Sequence, residues 1–115
     1  MLYITSYKLR QVTENQFVIS IPTYFSANQK LKQGCDMHCY IGNKGELIYR
    51  PTLSKKRGRI LYKTYVSQTS GTRSLKVTIP PVFRDSNKLK NGQSLHCWMD
   101  EEEVVFCKTK PKKDS

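Results

Sequence analysis

Ile21-Pro22, Phe25, Lys30-Leu31-Lys32, Gly34 and His38-Cys39 return later in the chain as Ile79-Pro80, Phe83, Lys88-Leu89-Lys90, Gly92 and His96-Cys97. Each pair lies 58 positions apart (79 − 21, 97 − 39), with no gap from the strand around Phe17 to Arg50. An internal repeat constrains architecture more than any local propensity, because the chain must build one supersecondary unit twice. Each copy is about 50 residues long, too short to remove much of its surface from water alone. The copies therefore share a core. This divides the chain into a first repeat at residues 1–50, a basic linker at 51–58, a second repeat at 59–108 and a basic tail at 109–115, with both repeats in one compact domain.

Charge narrows the partner. Twenty Lys and Arg face nine Asp and Glu, a net charge of +11, and four of the nine acids form the single run Asp100-Glu101-Glu102-Glu103. Outside that run the chain stands at +15 (11 + 4). Such an excess on a small protein points to a polyanion, nucleic acid first. No apolar run approaches the length of a membrane span. The N-terminal residues lack a basic region followed by an apolar stretch, so a cytoplasmic protein is expected, one that a nucleic-acid partner would associate with the nucleoid. Four cysteines, Cys35, Cys39, Cys97 and Cys107, are read as free thiols in that compartment.

Strand patterning fills both copies. Residues 2–12 are rich in Tyr, Ile, Thr and Val, and residues 13–16 read as a turn. Phe17, Ile19 and Ile21 share one face of the next strand by its period of two, and Pro22 ends it. Residues 23–29 suit two helical turns with Thr23 as the cap. After a turn at 30–34, Met37, Cys39 and Ile41 alternate on a third strand, and a hairpin at 42–45 leads to a fourth at 46–50. The second copy repeats the order: a strand at 60–68, a turn at 69–72, Leu75, Val77 and Ile79 pointing inward, a helix opened by Pro80-Pro81, then Leu95, Cys97 and Met99, and a last strand at 104–107.

A strand, a turn, a strand ending in Ile-Pro, a short helix, Leu, Gly and a hairpin together resemble the AbrB/MazE/SpoVT swapped-hairpin family. The second copy carries the resemblance best, in Lys76-Val77-Thr78-Ile79-Pro80, Val82-Phe83-Arg84, Lys88-Leu89, Asn91-Gly92-Gln93 and Leu95-His96-Cys97-Trp98-Met99-Asp100. The first keeps Ile21-Pro22, Leu31 and Gly34-Cys35-Asp36. The resemblance implies an all-β fold with two short helices: a pseudo-twofold swapped-hairpin β-barrel formed by an internal duplication. Members of the family pair as dimers, and this chain looks like a single-chain version, a monomeric pseudo-dimer or a homodimer of pseudo-dimers.

The family binds double-stranded DNA with basic residues on its first strands, the loop between them and the helix after Ile-Pro. Carried onto this chain, that surface is Lys76 on the second strand and Arg84 in the helix, with Arg73 as a neighbour in the loop. The first copy departs from it, since Val18 stands where Lys76 stands and Ser26 where Arg84 stands. Its own cations, Lys8 and Arg10, lie two apart on the expected first strand and so share a side. Lys55, Lys56, Arg57 and Arg59 in and beside the linker add diffuse attraction, like the lysines of the tail.

The remaining signals read as structure. Leu31 and Leu89 anchor the core while the lysines around them snorkel outward. His38-Cys39 and His96-Cys97 point to opposite strand faces within each pair, so neither chelates one ion, and no metal or cofactor is called. Tyr40 and Trp98, facing away from those cysteines, read as packing residues rather than base-stacking platforms. The acid run is expected away from phosphate and splays too far to hold a metal. No catalytic constellation emerges. The function expected is a DNA-binding transcriptional regulator. The rivals are an antitoxin or interaction module with a toxin or second regulatory protein as partner, and an accessory DNA-binding protein of plasmid or phage DNA transfer.

Overall fold

A computed structural model of the chain describes residues 2–32, 34–54, 58–66, 68–69 and 75–109. Along them run β1 (Leu2–Lys8), β2 (Arg10–Thr13), β3 (Gln16–Ser20), α1 (Thr23–Asn28), β4 (Asp36–Ile41), β5 (Leu47–Arg50), β6 (Ile60–Val66), β7 (Gln68–Thr69), β8 (Leu75–Thr78), α2 (Pro81–Ser86), β9 (Ser94–Met99) and β10 (Val104–Cys107). The fold is mostly β with two short helices. Its antiparallel strands make a six-stranded sheet, β1-β9-β10-β5-β4-β6, and a four-stranded one, β2-β3-β8-β7.

The closed barrel expected from the resemblance is not formed among the described residues. Neither sheet closes on itself; β1 and β6 are the edges of one, β2 and β7 of the other. One junction between the sheets lies at Leu9. The strand expected over residues 2–12 breaks there, and the chain leaves one sheet for the other. Leu9 is buried, its N–H donates to the Gln93 carbonyl at 2.8 Å, and its carbonyl accepts from Gly92 at 3.0 Å. The corner thus satisfies its backbone on a neighbouring turn instead of continuing either ladder.

The two halves keep their offset of 58 through most of the architecture. It relates β1 to β6 (60 − 2), α1 to α2 (81 − 23) and β4 to β9 (94 − 36). Pairing crosses between halves reciprocally. β1 of the first half pairs with β9 of the second, and β6 of the second with β4 of the first. Tyr7↔Leu95 answers Met37↔Tyr65, and Lys8↔Ser94 answers Asp36↔Val66. At the centre of the four-stranded sheet Ile19 lies opposite Val77, its own equivalent (77 − 19). Ile21 N–H donates to the Leu75 carbonyl at 2.9 Å, and Ile79 N–H to that of Phe17 at 2.8 Å.

The gapless match ends at the last strand. Ile48 faces Val105, and these are 57 apart (105 − 48). Residues 42–46 join β4 to β5, but only residues 100–103 join β9 to β10, so the second hairpin is one residue shorter.

Between the sheets lies one apolar core. Phe17, Ile19, Ile21 and Phe25 meet Leu75, Val77, Ile79 and Phe83, and Met37, Cys39, Leu47 and Tyr49 meet Leu95, Cys97, Val104 and Phe106. Cys39 and Cys97 are fully buried, as small core residues. Each half contributes equivalent side chains, which is why neither has a core alone. The Tyr49 hydroxyl donates to the Thr78 carbonyl at 2.5 Å, tying one half to the other.

Thr23 is the first helical residue rather than the cap; Pro22 takes the cap position without a side-chain hydrogen bond. The repeated Lys-Leu words prove to be helix stops. Lys30 and Lys88 take φ of 54° and 52°, the left-handed region. Lys30 N–H donates to Ala27 and Leu31 N–H to Ser26, and Lys88 and Leu89 repeat this on Asp85 and Arg84. This is the Schellman pattern, normally built on glycine. Leu89 is buried and Leu31 packs against the core. A lysine held left-handed costs about 1 kcal/mol or more that glycine avoids, partly offset by glycine's greater chain entropy. Lys88→Gly is therefore expected to leave stability unchanged or raise it by up to about 1 kcal/mol, and Lys88→Val to lower it. Urea unfolding of the two variants beside the parent checks both signs.

Candidate nucleic-acid interface

Phe17, Ile19, Leu75, Val77 and Ile79 take the inner face of the four-stranded sheet. The period of two then puts their strand neighbours on the outer face. In register across it stand Arg10, Val18 and Thr78, and beside them Ser20 and Lys76, whose backbone partner on β7 is Gln68. Arg10 is exposed and Lys76 half-buried. Two strand spacings and two residues separate them, so their backbones lie about 12 Å apart, the width of the DNA major groove. Gln16 donates from Nε2 to the Thr78 hydroxyl at 3.1 Å, fixing the row next to Val18.

Lys8 does not share this face with Arg10. It ends β1 opposite Ser94 in the six-stranded sheet, because the corner at Leu9 separates the two residues. Arg10 opens β2, opposite Val18. Both are exposed and flank the buried Leu9, two residues apart in different sheets.

Arg84 sits beside the interface in a different role from a free cation. Its Nη1 donates to the Asn15 carbonyl at 2.8 Å, its Nε to the Asp85 carboxylate at 3.0 Å, and its guanidinium lies 5.7 Å from the centre of the Phe17 ring. The helix of one half thereby holds the β2–β3 turn of the other. Ser26, its counterpart, donates to the Thr23 carbonyl in its own helix. Arg84→Ala is expected to cost about 1–2 kcal/mol of stability and to weaken DNA binding more than Ser26→Ala. Gel-shift affinities of both variants at one salt concentration compare them.

Arg59 is engaged on the other sheet. It grips Glu103 in two places, Nη1 to Oε1 at 2.7 Å and Nη2 to Oε2 at 2.6 Å, and this bonding pushes the guanidinium pKa further up. Arg50 adds Nη1 to the same Oε1 at 3.1 Å. Glu103 is 1% exposed, so the acid run is not a uniformly solvated tip. The Asp100 carboxylate accepts from the N–H groups of Glu102 and Glu103 and turns the last acid inward. The crossing between halves is tied to the same cluster: Arg50 donates to the Thr52 carbonyl, Arg59 to the Ser54 hydroxyl, and Ser54 N–H to the Tyr40 hydroxyl. Sequence reasoning missed this clasp. The available signal was an acid one residue before the apolar run Val104-Val105-Phe106.

Tyr40 is buried with Ile48 and Val105 in a second small cluster, against which Trp98 and Cys107 pack. Tyr3 completes that face, its ring edge-on to Trp98 and its hydroxyl 3.1 Å from His96 Nδ1. Burial pushes the thiols of Cys39 and Cys97 up to about 12 and that of Cys107 up to about 11. They are protonated at neutral pH. Among the described residues no group of three or more His, Cys, Asp or Glu gathers to hold a metal. No described helix is long and apolar enough to cross a membrane. Arg73, Lys55, Lys56, Arg57 and the tail from residue 110 lie outside the described residues. Comparison with known proteins finds no matching family model, curated protein or solved structure.

Proposed function

We propose that this protein binds double-stranded DNA with the outer face of its four-stranded sheet and acts as a transcriptional regulator. In this proposal the chain is two copies of an AbrB-like swapped-hairpin unit fused in tandem. The observation that carries it is the reciprocal register about Ile19 and Val77, which joins the first hairpin of each half into one surface bearing Arg10 and Lys76. The exchange of β1 and β6 between halves supports the swapped-hairpin reading, and the net charge of +11 supports a polyanionic partner. A twisted β surface of this width enters a major groove, where Arg reads guanine edges and Lys neutralises phosphate.

The test is an electrophoretic shift of the DNA flanking its own gene, with random duplex as competitor over a salt series. Binding is expected to weaken steeply with salt and to survive competitor better than random duplex does. Failure to shift any duplex at low salt would refute the proposal.

A further inference from the structure

We infer that the two halves of this face read different sequences, so that the target is a non-palindromic duplex site; the inference rests on the DNA-binding proposal above. Two perfect copies about the Ile19–Val77 axis would present a self-complementary surface and select a palindrome. The backbone keeps that symmetry and the side chains break it. Arg10 on the outer strand β2 answers to Gln68 on β7 (68 − 10), and Lys76 on the inner strand β8 answers to Val18 on β3 (76 − 18). Among the described residues each half therefore brings one cation to the sheet, at a different depth from the axis. Strand geometry puts Lys76 about 4 Å from it and Arg10 about 8 Å.

The two cations also differ in chemistry. Arg10 has the planar fork that grips guanine O6 and N7 together, whereas Lys76 is a point charge suited to phosphate. Val18 is 3% exposed and has no donor to offer at the position nearest the axis. The flanking helices differ in sequence as well: Arg84 braces the β2–β3 turn through Asn15, and a serine, Ser26, stands at the equivalent place in the other helix. The first half is thus expected to discriminate bases farther from the centre, and the second to anchor the backbone close to it.

Selection from a duplex pool with a randomised central segment tests this, using the whole chain. The parent is expected to enrich a consensus without dyad symmetry, and inverting one half-site is expected to weaken binding about tenfold or more. Gln68→Arg with Lys76→Val gives the second half the side chains of the first, and this double variant is expected to select a palindrome. Enrichment of a palindrome by the parent, or of the same asymmetric consensus by both proteins, would overturn the inference. So would DNA binding with no sequence enriched. The parent's selection decides by itself should the double variant misfold, and absence of any DNA binding would count against the parent proposal instead.

Discussion

Glu103→Ala is expected to lower folding stability by about 3–5 kcal/mol, because it leaves two arginines facing each other without their shared carboxylate. On an ordinary domain stability of about 5–15 kcal/mol that is about a fifth of the total at the least. The side chains involved are largely removed from solvent, Arg50 at 9%, Arg59 at 12% and Glu103 at 2% exposed, so water does not replace the lost partner. Exposed ion pairs behave differently and seldom exceed about 1 kcal/mol. Urea unfolding distinguishes the two cases. A midpoint shift worth less than about 1 kcal/mol would mean that the cluster opens to water and does not clasp the halves. Replacing all three together, Arg50→Met, Glu103→Leu and Arg59→Met, removes both the attraction and the burial cost. That variant is expected to recover most of the loss.

Arg10→Ala is expected to cost about 1–3 kcal/mol of binding at the preferred duplex and to relax preference at one position. Lys76→Ala is expected to act on all duplexes alike, lowering the slope of log affinity against log salt by about one. Fluorescence anisotropy at several salt concentrations separates the two. Lys8→Ala serves as the comparison, since Lys8 belongs to the other sheet. A loss for Lys8→Ala as large as that for Arg10→Ala would move the binding face to the six-stranded sheet.

The repeat made much of this architecture legible. An offset of 58 placed each helix and most strands against their counterparts, and alternation at Phe17, Ile19, Leu75 and Val77 identified the inner face. What stayed hidden depends on contacts distant in sequence. Residues 2–12 read as one strand because every residue there tolerates β structure; the break at Leu9 comes from the turn at Gly92 and Gln93, more than 80 positions away. That break puts Lys8 and Arg10, both exposed beside the buried Leu9, in different sheets. Glu103 reads as the last of four consecutive acids, because nothing local shows that Arg50 and Arg59 converge on it. Arg84 was legible as a cation beside the interface but not as a brace, since its partner Asn15 belongs to the other half.

The central claim is that the outer face of the four-stranded sheet meets duplex DNA. Amide chemical shifts of the isotope-labelled chain, followed while duplex is titrated in, test it residue by residue. The largest changes are predicted at Arg10, Val18, Ser20, Lys76 and Thr78, with Trp98, Ile48 and Val105 unmoved. Changes concentrated on those last three, across the six-stranded sheet, would contradict it.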